Sequence, residues 1–160
     1  MPLQQVPIKY GWVRGGKVSI PLQMGASEVI NNRSGKFITL DANKLGEISG
    51  AGDVIFGFVE APAETTLSAE GGTIYNCIID PTAVFRVAIN VGTLVTDGLQ
   101  GAANSVLGES CGLTIVSDVQ GVDLDTGADN FVFIVGGDII NNNYIDVMIN
   151  YATVTKTALT

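Results

Sequence analysis

The hydrophobic runs are what most constrain this chain. They are short, rich in Val, Ile, Phe, Tyr and Thr, and each is closed by Gly, Asn, Asp or Pro. Runs of this kind read as strands. The pattern predicts strands over Lys36 to Asp41, Val54 to Glu60, Gly72 to Asp80, Val84 to Ile89, Leu113 to Ser117, Asn130 to Val135 and Tyr144 to Thr155. Strands at such spacing, with turns between them, give an all-β small barrel or sandwich. Helical patterning is scarce. Its best stretch, Asp97 to Leu107, contains Gly98 and Gly101, and each glycine costs about 1 kcal/mol against alanine inside a helix. A loop or single turn reads as well there.

Within the final strand, Ile145, Val147, Ile149 and Tyr151 share one face, which is expected to be buried, while Tyr144, Asp146, Met148 and Asn150 share the other. Asn141-Asn142-Asn143 suits a turn with positive φ that closes a hairpin with Phe131 to Val135. At the other end, residues 1–27 carry Pro2, Pro7 and Pro21, with Gly11, Gly15, Gly16 and Gly25 and little alternation. This reads as an extended N-terminal arm beside a body over 28–160. Its Tyr10 and Trp12 would be wasted in a solvated tail, so the arm is expected to lie against something. The body is expected as one unit, or as two lobes dividing near 97–112.

At 160 residues the chain can bury a real core. Charged residues make up only 15%, against about 25% in ordinary soluble domains, which points to association with other chains. The net charge of -8 argues against direct nucleic-acid or anionic-membrane partners. Charge is also uneven: six of the eight basic residues fall by Lys44 against only Glu28 and Asp41, and the other fourteen acids follow. Such a basic quarter serves either as a docking arm for an acidic partner or as the internal counterpart of its own acidic body. No charged n-region with an apolar h-region opens the sequence, and no apolar run approaches the roughly 20 residues of a membrane span. A soluble, cytosolic product with Cys77 and Cys111 as free thiols is therefore expected.

Gly50-Ala51-Gly52-Asp53-Val54-Ile55 superficially suggests a phosphate loop, but it places Ile55 where the dinucleotide fingerprint needs glycine, lacks lysine and leads into period-two residues. A turn feeding a strand is the expectation. The chain has no histidine, which removes Ser-His and Cys-His nucleophile pairs. Cys111 has no base beside it in sequence and reads as a buried thiol. Asp123, Asp125 and Asp129 could offer oxygen ligands to Ca²⁺, but their spacing departs from the EF-hand loop; the stretch from Asp118 to Asn130 reads more plainly as an acidic turn. Glu60, Glu64 and Glu70 read as solvated charges rather than a glycosidase pair. Neither an enzyme nor a cofactor is expected.

Gly35-Lys36-Phe37-Ile38-Thr39-Leu40-Asp41, then Gly50 to Val59, then Ala69-Glu70-Gly71-Gly72 leading to Ile74 through Ile79, resemble the capsid decoration, or cement, proteins of tailed bacteriophages. The resemblance covers residues 34–90. It implies a small barrel on the capsid exterior, made in the host cytoplasm, assembled as a homotrimer and bridging neighbouring capsomers of the major capsid protein. Tyr10, Trp12, Arg14 and Lys17 would then be the arm's capsid contacts, with Trp12 as anchor, since large aromatics dominate interface energetics and Arg pairs bidentately with carboxylates. The alternative expectation is a virion or cell-surface recognition module, fibre-like or sugar-binding, for which Asn141 to Tyr144 is the candidate loop.

Overall fold

The computed structural model describes residues 10–30, 35–60, 65–66, 73–92, 100, 105–117, 119–125, 131–138 and 144–151. Among these, thirteen strands form and no helix does. They are β1 (Gly11–Arg14), β2 (Ser19–Gln23), β3 (Val29–Ile30), β4 (Lys36–Leu40), β5 (Gly46–Ile48), β6 (Gly57–Val59), β7 (Thr65–Thr66), β8 (Ile74–Ile78), β9 (Val84–Val91), β10 (Ser110–Val116), β11 (Val119–Asp123), β12 (Val132–Gly137) and β13 (Ile145–Ile149). The chain is all-β, as its short runs demand.

Six strands lie in the order β1-β9-β11-β10-β12-β13, and a further β9–β13 pairing bends them into a partial ring. Five more lie in the order β2-β8-β6-β4-β5, and β3 pairs with β7. In the five-stranded sheet the end of β2 comes back to β5: Met24 bridges Gly46 in parallel, and Gly25 N–H donates to Gly46 O at 2.8 Å. Gly46 permits this closure because a Cβ there would stand 2.8 Å from Met24 Sδ and 2.9 Å from Leu22 Cδ2.

Strand alternation puts a core on each face of that sheet. Phe37, Phe58 and Ile78 look toward the ring and join Phe85, Val87, Leu113, Val122, Val132, Ile134, Ile145, Val147 and Ile149 in the main core. Their neighbours Ile38, Val59 and Cys77 look the other way and pack with Leu22, Met24 and Ile30. Between the sheets, Phe37, Phe58 and Phe85 form a triad with centroids 4.9, 5.4 and 4.5 Å apart, each pair worth about 0.5–1.5 kcal/mol beyond its buried area.

A polar bridge runs beside the triad. The buried Gln120, on β11, accepts from Phe37 N–H at 2.7 Å and donates to Phe37 O at 3.1 Å and Ser49 O at 2.7 Å. Just beyond the last paired residues of β4 and β5, Ser49 N–H donates to Phe37 O at 2.9 Å, and the Gln120 amide inserts beside that bond, taking the Phe37 N–H and the Ser49 carbonyl.

Two expectations are corrected. The expected arm instead contributes strands to both sheets: β1 pairs with β9 and β2 with β8, Leu22 and Met24 lie inside the second core, and Ala26 and Ser27 form a turn; residues 1–9 lie outside the described residues. Prolines and glycines hid the alternation, and Pro21 is tolerated because β2 pairs only with β8. Within the expected acidic loop, Val119–Asp123 is a strand with Gln120 and Val122 facing inward. β8 is the last strand in sequence of the five-stranded sheet, and β9 lies in the six-stranded one. Elsewhere β6 is shorter than expected: it is preceded by a turn in which Gly50 N–H donates to Asp53 Oδ2 at 2.8 Å, and by Phe56, whose N–H donates to Ile38 O of β4 at 2.7 Å just outside the strand. The β12–β13 hairpin forms with Ile145, Val147 and Ile149 buried; residues 139–143 and 152–160 lie outside the described residues.

Gln120→Leu leaves Phe37 N–H and Ser49 O buried without partners. Urea denaturation is expected to show a loss of about 2–6 kcal/mol, from about 1–3 for each orphaned group; a loss below about 0.5 kcal/mol would remove the bridge from this account.

Candidate interaction surface

The crossing from β1 to β2 carries most of the residues singled out near the N terminus. β1 pairs Trp12 with Phe85, and a bulge after Trp12 brings Arg14 opposite Val84. Trp12 therefore shares Phe85's inward face and packs against the main core. Its indole N–H donates to Gly16 O at 3.1 Å, its backbone N–H donates to Glu60 Oε1 at 3.0 Å, and Lys17 Nζ lies 4.8 Å from its ring centroid. Lys17 also donates to Glu60 Oε2 at 3.1 Å. Trp12, Lys17 and Glu60 thus close the seam between the two sheets. Tyr10 is half-buried, and burial raises its phenol above the ordinary value.

The turn after β8 receives the same crossing. Asp80 Oδ2 accepts from Val18 N–H at 3.2 Å, and its Oδ1 accepts from Thr82 N–H at 2.9 Å and Thr82 Oγ1 at 2.6 Å. Thr82 Oγ1 in turn accepts from Gly16 N–H at 2.9 Å. Gly15, at φ 86°, lies so close to Thr82 that a Cβ would run into the Thr82 carbonyl oxygen. The Thr82 hydroxyl, then the Thr82 and Val18 amides, hold the Asp80 carboxyl below its ordinary value against the opposing effect of burial.

Arg14 points to the other face of the ring. Asp146 accepts from Arg14 Nη1 at 3.1 Å and takes Arg86 bidentately, Nε to Oδ1 at 2.8 Å and Nη2 to Oδ2 at 3.0 Å. The Asp146 side chain is 6% exposed, Arg86's is 26% and Arg14's is 53%. The Arg86 guanidinium carbon sits 3.8 Å from the Tyr144 ring centroid, and the Asp146 bond raises Arg86's already high pKa.

Farther along this face, β10 and β11 end in a tight hairpin whose turn begins at Ser117, φ 49°. Ile115, Val116 and Val119 are 44%, 48% and 43% exposed at its tip. A cleft of about 10 Å³, room for roughly one water, lies where β1 and β11 meet along β9, with Tyr10, Arg86, Val119 and Gln120 in its lining.

The arm residues of the sequence reading therefore separate: Trp12 and Lys17 belong to the seam, Arg14 to the outer face. The hairpin tip is hard to see in the sequence because Val119 sits among Asp118, Asp123 and Asp125, which resemble an acidic turn. Asp123 accepts from Asp125 N–H at 2.9 Å, while Asp129, Glu64, Glu70 and Asn141 to Asn143 lie outside the described residues. No group of three potential metal ligands occurs among the described residues. Cys77 and Cys111 are buried free thiols, each pushed up to about 12 by burial, which leaves little nucleophilic thiolate near neutrality. No family model, curated protein or solved structure matches this chain.

Two outcomes are expected. Asp146→Asn removes the carboxylate two guanidiniums share and should cost about 1–3 kcal/mol in denaturant, below the usual buried-pair figure because both arginines reach solvent; Arg14→Gln should cost less than about 1 kcal/mol. Equal losses would refute this ranking. For Asp80, the unfolded chain binds the proton more tightly than the folded one. Its bonds therefore stabilise the fold above the ordinary carboxylate value of about 3.9 and fail as pH falls through the lower folded value. Melting temperature followed into acid should drop less steeply for Asp80→Asn than for the parent chain, and parallel curves would show that Asp80 contributes nothing to acid sensitivity.

Proposed function

We propose that this chain is a structural virion protein that decorates the outside of a bacteriophage capsid and ties neighbouring capsomers together. The observation that carries the reading is the placement of the resembling segments. Lys36–Leu40, Gly57–Val59 and Ile74–Ile78 are three adjacent strands, β4, β6 and β8, of the sheet whose ends Met24 and Gly46 bring together. A small closed β unit is what the resemblance implies. The low charge content and the exposed Ile115, Val116 and Val119 support a chain that works by contact with other chains. In this role each bound copy adds a brace between capsomers, and many modest contacts acting together resist the outward pressure of packaged DNA. Binding to the major capsid protein and assembly as a homotrimer belong to the same reading.

The test mixes purified full-length protein with capsids of the source virus that lack it, and follows co-sedimentation. The full chain is needed because removing residues 1–17 would strip β1 from β9. Saturable binding, with capsids that then withstand heating better, is the expected result. Absence of binding to both expanded and unexpanded shells would overturn the proposal.

A further inference from the structure

We propose that the outer face of β1, β9, β10, β11 and β13 is the docking surface for an extended, carboxylate-bearing segment of the capsid partner. Arg14 takes the carboxylate, and Val116 with Val119 takes an aliphatic side chain beside it. The inference rests on the decoration reading and names the chemistry of the surface recognised.

Register places these side chains on one face. Asp146 pairs with Arg86 across β13 and β9, Ala88 with Gly121 across β9 and β11, and Val119 with Val116 across β11 and β10. Paired residues share a face, as do residues two apart on a strand, so Arg86, Ala88, Gly121, Val119 and Val116 run in one stripe. The opposite alternation, Val87, Gln120 and Val122, faces inward and is buried. Arg86 and Val119 both border the water-sized cleft, so the cationic end and the apolar end adjoin.

At the cationic end one carboxylate serves two guanidiniums. Arg86 uses both Asp146 oxygens, and Arg14 reaches the same group through Nη1 alone. These three side chains carry a net positive charge, and Arg14's other donors remain on a half-exposed side chain. Because Asp146 already fixes the Arg14 tip, a second carboxylate can be met with little further loss of side-chain freedom, in the planar, forked geometry that suits guanidinium. At the apolar end the two valines are stiff, β-branched and exposed. A protein segment fits both ends. Nucleic acid fits neither the valines nor a chain of net charge -8.

The experiment is the capsid co-sedimentation titration with four full-length variants: Arg14→Gln, Arg14→Lys, the double variant Val116→Ser with Val119→Ser, and Lys44→Asn on an exposed turn elsewhere. Thermal melts confirm that each is folded. Kd is expected to rise at least about ten-fold for Arg14→Gln and for the valine pair, less for Arg14→Lys, and not for Lys44→Asn. Added salt should weaken the parent chain more than Arg14→Gln. If the parent binds and the Arg14 and valine variants bind equally well, this surface is not the docking face while the decoration reading stands. If the parent itself fails to bind, both fall.

Discussion

Gln120 is the residue on which the joining of the two sheets depends. A strand ladder is a two-sided arrangement, and next to the Ile38–Ile48 pair of β4 and β5 the Phe37 carbonyl accepts from Ser49 N–H at 2.9 Å while the Phe37 amide turns to a side chain instead of the Ser49 carbonyl. An unpaired amide there would be buried at the cost of a lost hydrogen bond. The Gln120 side chain supplies one acceptor and the donors for two carbonyls, so a residue of the ring completes the other sheet. With the bridge fixed, Phe37 is held in the position where it meets Phe58 and Phe85. The apolar triad adds affinity between the layers. The amide fixes their registry, because only one placement of β11 satisfies all three bonds.

This arrangement explains which parts of the sequence were legible. Strands whose inward residues are uniformly apolar, such as Val84–Val91 with Phe85 and Val87, or Ile145–Ile149, could be read from alternation alone. In β11 the inward row is Gln120 and Val122, and the flanking acids Asp118, Asp123 and Asp125 resemble a surface turn. The strand whose side chain completes the other sheet's hydrogen bonding is therefore one that looks like a loop. The glycine-rich Gly50-Ala51-Gly52 stretch was legible as a turn for the opposite reason, since a phosphate loop has positive chemical requirements that it fails.

The N-terminal crossing was hidden by a different mechanism. Residues 10–23 make two short strands in two different sheets, so neither is long enough to show a period, and the link between them must be glycine-rich to pass against Thr82. Composition read this as an arm. The long-range partners Glu60, Asp80 and Asp146 are 43 to 132 residues away from the groups they receive, and nothing in local sequence announces such pairings. The excess of basic residues before Lys44 was the available signal. Arg14 and Lys17 do meet acids of the body, the internal pairing that the uneven charge allowed.

Closure of the sheets then bears on how the chain meets others. An open edge invites association through backbone hydrogen bonds that read little sequence. Here β9 with β13, and Met24 with Gly46, draw strand edges together, and β1 is interrupted by a bulge. Backbone-mediated association at these joined edges is thereby disfavoured, which leaves the faces as the surfaces that side chains can make selective. The ring's outer face differs from an ordinary solvated one in two respects. Its carboxylate is almost fully enclosed between two guanidiniums, and its hairpin tip carries valines where charged or polar residues would cost nothing. A free monomer gains nothing evident from the second feature, and the first makes a rigid half-site of Arg14. These two features are the ones on which the proposed docking surface rests.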